Sequence, residues 1–356
     1  MRIIVNSYFY KYIIIIGINI LMNYNAIIRN KNLTIEIPMG KTILEGALAQ
    51  SIEFPHGCKS GNCGACKSVL HSGDIEMSTY SKYALTTEEK NRGLILPCRS
   101  VPWSDCEISL VNEDETIVHA NRLLQCKVTK LFQATQDIRI IEMDILSGGP
   151  YDFSAGQYAA LTFDGLPPRD FSMANTPDTH TLEFHARFLP DGAVTPHIQN
   201  SLKVGDKVTV QGPYGTAYFR ENHKGPIIAA AGGSGLAPIK SILKTALKNG
   251  TQQQITFYFG VRTDIDLYLE EDFNKLAEAY SNFTFIPVIS DSPSKTHHRT
   301  GFLSDAITDD IPDADGYKAY IAGPPVMVES IVKRLKSLGI QSEDCHADAF
   351  YTEAEK

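Results

Sequence analysis

The sequence has neither a run of basic residues nor a long hydrophobic segment. Its 356 residues carry 33 Lys and Arg against 41 Asp and Glu, a formal net charge of −8. Nucleic-acid binding needs clustered positive charge, so this balance argues against it. The apolar run Tyr12–Met22 has 11 residues and contains Asn19, whereas crossing a bilayer takes about 20 apolar residues. These absences predict neither a nucleic-acid partner nor a membrane partner.

The sequence also lacks a good signal-peptide cleavage site and a recognisable set of hydrolytic residues. The stretch NYNAIIRN, which follows the apolar run, is a poor cleavage site for a signal peptide. We therefore expect residues 1–21 to be a wrongly extended start and Met22 to be the true first residue, with residues 1–24 a doubtful extension; mass spectrometry of the native N-terminus tests this. No catalytic triad and no pair of carboxylates stands out, so nothing indicates hydrolysis.

Cysteine, in contrast, is concentrated in one loop. PHGCKSGNCGACKSVL, residues 55–70, has the spacing C-x4-C-x2-C, and a fourth cysteine follows in LILPCRS. Three thiols on one loop with a remote fourth are typical of a plant-type [2Fe–2S] cluster, whereas zinc sites usually pair two C-x2-C knuckles. The glycines would let backbone N–H groups point at sulfur, often with positive φ. A disulfide pair or a zinc knuckle is the alternative. The candidate ligands are Cys58, Cys63, Cys66 and Cys98.

The other three cysteines, Cys106, Cys126 and Cys345, are scattered along the chain. We interpret them as reduced thiols that serve as small buried hydrophobic residues. This usage is typical of a reducing compartment and predicts a cytoplasmic protein.

The order of strand and helix signals divides the chain into three zones. Residues 25–115 show a hairpin pattern, a helix with a capping box at Thr42 and Glu45, and strands around the cysteine loop, which indicates a small α+β roll. Residues 120–222 contain about six strands separated by turns and predict an antiparallel β-barrel. Residues 226–351 alternate strands and helices and predict a doubly wound, parallel α/β sheet. The predicted fold is therefore multidomain.

Two glycine-containing turns in the third zone are candidate nucleotide-binding sites. AAAGGSGLAPIKSIL lies between a continuous apolar strand and a helix, where glycines would let a dinucleotide phosphate approach the positive end of the helix. The pattern differs from the G-x-G-x-x-G of ordinary dehydrogenases. YIAGPPVMVESI repeats the arrangement, with Pro325 suited to a first helical turn. A tight β–α turn and a simple helix start are the alternatives. The candidate residues are Gly232, Gly233, Ser234, Gly235, Gly323 and Pro324.

The string RDFSMAN in the second zone resembles the R-x-[YF]-S flavin signature of the ferredoxin–NADP reductase superfamily. The resemblance implies that Arg169 binds a flavin phosphate and that Phe171 packs on the isoalloxazine ring. It also places the Ser172 hydroxyl near N5, as the catalytic group, with Asp170 completing the string. A diphosphate does favour a bidentate cation, and a flat ring does favour an aromatic wall. An edge strand followed by a turn is the alternative.

The resemblance extends to three more segments. In GPYG, Gly212–Gly215 is similar to the turn that closes the barrel, although a plain turn fits equally well. In the tail, Phe350 and Tyr351 are candidates for the aromatic residue near the nicotinamide face of the flavin. HARFLPDGAVTPHI is similar to the segment that clasps flavin phosphates, and for Arg187 a surface charge is an equal alternative. The candidates in that segment are His185, Arg187, Gly192 and Thr195.

The end of the second strand of the third zone bears on the choice of coenzyme. The segment FGVRTDIDLYLEEDF offers Arg262 as a cation for the 2′-phosphate of NADPH. Asp264 and Asp266 follow closely and would repel that phosphate. The sequence therefore favours NADH over NADPH.

Taken in order, the cluster, flavin and nucleotide zones resemble the reductase components of bacterial aromatic-ring-hydroxylating dioxygenases, in particular the naphthalene dioxygenase ferredoxin reductases. The resemblance covers residues 25–351 and implies a β-grasp cluster domain and FAD rather than FMN. It implies that electrons pass from NADH through FAD and the [2Fe–2S] cluster to a Rieske-type ferredoxin or an oxygenase. A reductase for a di-iron hydroxylase or a deoxysugar dehydratase, a nonenzymatic redox sensor and a transport or anchoring protein are the alternatives.

Overall fold

The computed structural model describes residues 23–50, 52, 54–56, 59–61, 64–82, 84–111, 117, 119–291 and 296–351. The described residues form two compact units. One lies within Met1–Phe54 and Cys66–Val111, and the other lies within Pro55–Ala65 and Asn112–Lys356. The expectation about residues 1–21 and Met22 falls outside the described residues.

The first unit is a small α+β roll, as the sequence predicts. Five of its strands form one sheet in the order β2-β1-β7-β3-β5, and β4 pairs with β6. The strands are Asn23–Ile28 (β1), Leu33–Pro38 (β2), Ser68–Ser72 (β3), Ile75–Met77 (β4), Leu94–Ile95 (β5), Ser100–Pro102 (β6) and Cys106–Leu110 (β7). The helices are Ile43–Ala49 (α1) and Thr87–Asn91 (α2).

Local sequence explains how this roll begins. β1 and β2 form an antiparallel hairpin in which alternate residues face inward, so Ile28 and Ile35 are fully buried. β1 starts at Asn23, two residues before the zone boundary expected from the sequence. The capping box is confirmed, because the Glu45 N–H donates to Thr42 Oγ1 at 3.2 Å and the Thr42 N–H donates to Glu45 Oε2 at 2.8 Å.

The second unit contains the predicted antiparallel barrel. Its six strands are ordered β11-β10-β13-β8-β9-β12. The two end strands approach each other through a bridge between Met173 and Phe184 and a 2.8 Å bond from Ala174 N–H to Glu183 O, so the sheet nearly closes. The strands are Arg122–Gln133 (β8), Ile138–Ser147 (β9), Tyr158–Thr162 (β10), Arg169–Ser172 (β11), Thr181–Arg187 (β12) and Lys207–Tyr214 (β13), with one helix, Thr195–Asn200 (α3).

The prediction of a turn at Gly212–Gly215 is wrong for the first three of these residues, which belong to a strand. β13 continues to Tyr214, which pairs with Tyr158 on β10. A β-carbon at Gly212 would lie only 2.8 Å from the Tyr151 hydroxyl oxygen. Glycine is therefore needed at position 212 for close packing inside the barrel. In the sequence, a glycine required for packing looks the same as a glycine required for a turn.

The rest of the second unit is the predicted doubly wound sheet. All six strands are parallel, in the order β17-β16-β15-β14-β18-β19, with the change of direction between β14 and β18. The strands are Ile227–Gly232 (β14), Ile255–Val261 (β15), Phe283–Ile289 (β16), Arg299–Thr300 (β17), Lys318–Gly323 (β18) and Cys345–Ala349 (β19). The helices are Leu236–Lys248 (α4), Glu270–Ala279 (α5), Leu303–Asp310 (α6) and Pro325–Ser337 (α7).

Helices cover both faces of this sheet, so β14 is buried along its whole length. Ala229 and Ala231 face α4 and α5, in a core that also includes Ile138 and Ile140 from the barrel. Barrel strand β12 lies next to the start of α4, where Lys240 pairs with Glu183. Among the described residues, no helix combines the length and the apolar character needed to cross a bilayer.

Candidate functional site

Two of the four candidate cluster ligands are described, and the fold brings them together. Cys66 precedes β3 and Cys98 precedes β6, yet their Sγ atoms lie 3.4 Å apart and both residues are buried. A disulfide needs about 2.05 Å, whereas two thiolates on one tetrahedral metal ion, each at about 2.3 Å, lie about 3.7 Å apart. The pair therefore fits two ligands of one iron. Cys58 and Cys63 lie outside the described residues.

The chain just before Cys66 has the predicted left-handed glycine positions. Gly61 has φ +79° and Gly64 has φ +73°, values that glycine adopts without strain. Within the first unit, the Leu44 N–H in the first turn of α1 donates to Pro97 O at 3.1 Å. This bond satisfies an N–H that has no partner within the helix and holds the segment that carries Cys98.

Two of the other cysteines behave as structural residues. Cys106 and Cys126 are buried within their cores. Burial raises the pKa of Cys106 to about 11 and the pKa of Cys126 to about 12. Both thiols therefore stay protonated at neutral pH and are poor metal ligands.

The two glycine turns of the nucleotide zone meet at the point where the strand order reverses. A β-carbon at Gly323 would lie 2.8 Å from Gly232 O, and one at Gly235 would lie 2.7 Å from the Gly323 Cα. A β-carbon at Gly232 would lie 3.0 Å from Pro324 Cδ. The glycines are thus required for the turns to pack on each other, a role that sequence reasoning did not identify. Parallel α/β sheets bind their ligands at this kind of crevice.

Phe350 also reaches this crevice. Its backbone N–H donates to Gly323 O at 2.9 Å, and its ring packs partly buried on the core beside the sheet. Pro325 is the first residue of α7, as the sequence predicts, and Pro324 is its N-cap residue. The turn around Gly323 is therefore fixed by a helix start on one side and by the C-terminal segment on the other.

The RDFS string forms β11 and pairs with β10. Ser172 is buried and lies opposite Tyr158, while Phe171 is half-buried against the barrel core. Asp170 is exposed, and the partly exposed Arg169 donates from Nη1 to Pro168 O at 2.8 Å. The flavin roles assigned to these four residues stay predictions.

His185 has partners inside the protein. Its Nε2 lies 2.8 Å from Glu183 Oε1, and its Nδ1 lies 2.9 Å from the Tyr268 hydroxyl. Lys240 on α4 lies 2.6 Å from Glu183 Oε2, and Tyr268 lies 3.3 Å from Gly233 O. We call these four residues, His185, Glu183, Tyr268 and Lys240, the buried network.

The charges of the buried network follow from its contacts. Burial lowers the pKa of His185 more than the Glu183 carboxylate raises it, so the imidazole is neutral at neutral pH. Burial opposes ionisation of Glu183, but the hydrogen bond from His185 and the charge of Lys240 outweigh it and lower the pKa of Glu183 to about 2. Sequence reasoning missed Glu183, Tyr268 and Lys240. The alternation that puts Glu183 and His185 on one side of β12 was a usable signal.

The remaining candidates, in the segment HARFLPDGAVTPHI, belong to a loop that the side chain of Thr195 closes. Thr195 Oγ1 accepts from Leu189 N–H at 3.0 Å and donates to Leu189 O at 3.1 Å. A β-carbon at Gly192 would lie 2.7 Å from that same Oγ1. Arg187 pairs with Asp137 at 2.7 Å, and its Nη1 lies 3.8 Å from the position of a β-carbon at Gly233. Arg187 therefore lies beside the glycine turn. The flavin roles of Gly192, Thr195, Arg187 and His185 stay predictions.

The segment after β15 holds the residues that bear on coenzyme choice. Asp266 Oδ2 accepts a hydrogen bond from the Thr263 N–H at 3.1 Å, so this carboxylate stabilises the turn after β15. Asp264 accepts a 2.6 Å bond from Thr296 Oγ1. Arg262 is exposed. Both aspartates thus accept hydrogen bonds within the protein. The preference for NADH stays a prediction.

Comparisons with known proteins cover nearly the whole described chain. Family models match residues 26–102 as a 2Fe-2S iron-sulfur cluster binding domain, residues 125–219 as an oxidoreductase FAD-binding domain and residues 230–333 as an oxidoreductase NAD-binding domain. The reductase component of the naphthalene 1,2-dioxygenase system of Pseudomonas putida is 36% identical over 91% of this chain and 98% of that protein.

Two further relatives agree. The reductase component of phenol 2-monooxygenase from a Pseudomonas species is 32% identical over 94% of this chain and 96% of that protein. The crystal structure of an Amycolatopsis cytochrome P450 reductase superposes with a TM-score of 0.74 at 32% identity, covering 92% of this chain and 98% of that one. The predicted fold class, the oxidoreductase class and the [2Fe–2S], FAD and NAD cofactors are confirmed. The chain belongs to the family of reductase components of multicomponent oxygenase systems, in which a 2Fe-2S domain precedes an FAD-binding and an NAD-binding domain.

Proposed function

We propose that this protein takes electrons from NADH, passes them through FAD and a [2Fe–2S] cluster, and delivers them to the Rieske-type ferredoxin or the terminal oxygenase of an aromatic-ring dioxygenase. The observation that carries the proposal is the meeting of the Gly232–Gly235 turn with Gly323 at the reversal point of the parallel sheet. The flavin barrel shares a core with that sheet. The naphthalene dioxygenase reductase relative supports the dioxygenase partner.

In this proposal the glycine turns bind NADH. Backbone N–H groups of Gly233, Ser234 and Gly235 at the start of α4 bind the diphosphate, because they carry the positive end of the helix. Gly323 and Pro324 leave room for the nicotinamide, and Phe350 lines the same crevice. Asp264 keeps the selectivity for NADH by repelling a 2′-phosphate.

The barrel residues hold FAD in this proposal. Arg169 and Arg187 bind its phosphates, Phe171 packs on the isoalloxazine ring, and the Ser172 hydroxyl lies beside N5. The remaining flavin contacts that we propose come from Asp170, His185, Gly192 and Thr195. Bound FAD supplies the conversion between a two-electron hydride and single electrons.

Cys58, Cys63, Cys66 and Cys98 hold the cluster in this proposal. Plant-type clusters have potentials of about −400 mV, below the roughly −150 to +300 mV of Rieske centres, so electron transfer to such a partner is downhill. We propose domain bounds of 25–115 for the cluster domain, 120–222 for the flavin barrel and 226–351 for the nucleotide domain. Residence in the reducing cytoplasm stays a prediction based on the cysteines.

A second candidate function differs only in the electron acceptor. The relative from the phenol 2-monooxygenase system is nearly as similar as the dioxygenase relative. The same internal path would then serve a monooxygenase hydroxylase. The two candidates separate by reconstitution: NADH consumption coupled to product is measured with a Rieske ferredoxin and its dioxygenase, and separately with a phenol hydroxylase component.

The internal path is tested by an anaerobic titration with NADH, followed by absorbance and by low-temperature EPR. We expect the flavin band to bleach and a rhombic signal from one reduced [2Fe–2S] cluster to appear. Bleaching with a silent cluster would contradict the ligand assignment. Reduction by NADPH but not by NADH would contradict the role of Asp264.

A further inference from the structure

Two consecutive histidines lie against the start of α5. His297 and His298 precede β17, and Glu270 is the first residue of α5. One ring nitrogen from each histidine and one carboxylate oxygen of Glu270 all lie within 4.8 Å of one another. A fourth candidate donor, Asp264 Oδ1, lies 3.8 Å from His298 Nε2. Neither the electron path nor the cofactor-binding residues above use His297, His298 or Glu270.

The distances in this cluster are longer than direct hydrogen bonds. His298 Nε2 lies 3.5 Å from Glu270 Oε1 and 3.8 Å from Asp264 Oδ1, whereas hydrogen bonds between nitrogen and oxygen measure about 2.7–3.2 Å. Ligands bound at about 2.0–2.1 Å to a tetrahedral zinc ion lie about 3.3–3.4 Å from each other. The two distances from His298 Nε2 are therefore nearer to the ligand spacing around a shared ion than to direct hydrogen bonds.

The surroundings also favour a cation. Arg299, which follows His298 in the sequence, is directed to Asp310 at 2.6 Å and to Asp309 at 2.9 Å. The ring of His298 is largely buried at 8% exposed, whereas the side chain of Glu270 is 34% exposed. One ligand is thus held in place by packing while the carboxylate side stays open to water, which gives an ion a route of entry.

We propose that His297, His298 and Glu270 bind a divalent transition-metal ion of the zinc class, with Asp264 or water as the fourth ligand. Imidazole with carboxylate suits zinc and its neighbours, while magnesium and calcium favour sites made of oxygen alone. The ion links the start of α5, which carries Glu270, to the segment that leads into β17. It therefore stiffens the edge of the sheet beside the residues that bear on coenzyme choice.

The test uses the protein loaded with flavin and cluster, and zinc ion as the probe. Isothermal titration calorimetry should show one zinc ion bound per chain. The zinc K-edge X-ray absorption spectrum should show a shell of nitrogen and oxygen at about 2.0–2.1 Å and no sulfur at about 2.3 Å. A sulfur shell would place the ion on cysteines and overturn the proposal, and so would the lack of zinc binding.

Variants locate the ion. The double variant His297→Gln/His298→Gln should bind zinc at least about tenfold more weakly, a loss at the low end of what even outer partners of a metal site cause. Glu270→Gln should also weaken binding. His180→Gln, which changes an exposed histidine on the barrel, is the matched control and should bind as the parent does. Unchanged affinity in the double variant would overturn the proposal. Since binding is read without NADH, this test is independent of the proposed electron path.

Discussion

The hydroxyl of Tyr268 lies 2.9 Å from Nδ1 of His185, and this contact joins the flavin barrel to the nucleotide sheet. The same hydroxyl lies 3.3 Å from the carbonyl oxygen of Gly233 in the glycine turn. An ionised Glu183 accepts from Nε2–H, so Nδ1 of the neutral ring is an acceptor for Tyr268 O–H. The single O–H proton of Tyr268 therefore goes to Nδ1 of His185 on β12, and the carbonyl oxygen of Gly233 lies beside that hydroxyl.

Tyr268→Phe should destabilise the protein and weaken NADH binding. The change leaves buried Nδ1 of His185 without its donor, which costs about 1–3 kcal/mol in the free energy of unfolding. Because Gly233 loses its neighbouring hydroxyl, KM for NADH should rise more than kcat falls. Thermal unfolding and steady-state kinetics with ferricyanide measure both effects.

The matched control for that variant is Tyr24→Phe, which changes a partly exposed tyrosine on β1. Its effect on the free energy of unfolding should stay within about 0.5 kcal/mol. An equal melting temperature and an equal KM in Tyr268→Phe and Tyr24→Phe would rule out the role given to Tyr268.

Glu183→Gln should be more damaging than the loss of a surface carboxylate. It removes the charge that faces Lys240, which is only 7% exposed, and breaking a buried ion pair costs about 3–5 kcal/mol. Glu142→Gln, which breaks the surface pair with Lys130, should change the free energy of unfolding little. Chemical denaturation measures both. Adding Lys240→Met to Glu183→Gln should recover part of the loss; no recovery would show that Lys240 is not the cause.

The free energy of unfolding should fall as the pH is lowered below neutrality. The pKa of His185 is depressed below its ordinary value of 6.5 by burial. The unfolded chain therefore binds a proton at a pH where the native protein does not, and stability is lost as the pH drops below about 6.5. Glu183, with its pKa near 2 against 4.5 in the unfolded chain, adds a loss of the same sign below about pH 4.5.

Urea unfolding midpoints between about pH 8 and pH 4 measure this dependence. His185→Asn should flatten the slope below about pH 6.5 without abolishing it. A residual slope is expected because burial also lowers the pKa of His346. An identical slope in His185→Asn and in the parent protein would contradict the assignment.

Gly235→Ala should disrupt the crevice between the two glycine turns. The added methyl group would overlap the Ala322 carbonyl and lie 2.7 Å from the Gly323 Cα, and a strand backbone cannot yield cheaply. We expect loss of NADH binding, measured by quenching of flavin fluorescence or by KM, and a lower melting temperature. Ser234→Ala in the same turn adds no atom and should keep the melting temperature. Parent-like KM in Gly235→Ala would contradict the packing role of this glycine.

Cys98→Ser should remove the cluster but leave the flavin chemistry. Reduced protein should lack the [2Fe–2S] EPR signal, while NADH should still reduce ferricyanide through the flavin. Cys106→Ala, at a buried cysteine in the same unit, should keep the EPR signal. If Cys98→Ser retains the cluster, or Cys106→Ala loses it, the ligand assignment is wrong.

Features set by neighbouring residues were predictable. Thr42 and Glu45 are three residues apart, so their capping box follows from local geometry alone. The apolar run of β14 predicted a strand buried on both faces, because no polar residue interrupts it. The prediction of a turn at Gly212–Gly215 was wrong over its first three residues. The sequence does not distinguish a glycine that permits close packing from a glycine that permits a turn.

The sequence by itself determined the chemistry and the order of the parts: the cysteine spacing, the flavin string, the glycine turns and the alternation of strands with helices. The tertiary structure alone decided which distant residues meet. The fold brings Cys98 to 3.4 Å from Cys66, seats Gly235 against Ala322 and pairs Glu183 with Lys240. Local propensity acts over a few residues, whereas these contacts are 32, 87 and 57 residues apart and depend on strand order and on the burial of a shared core.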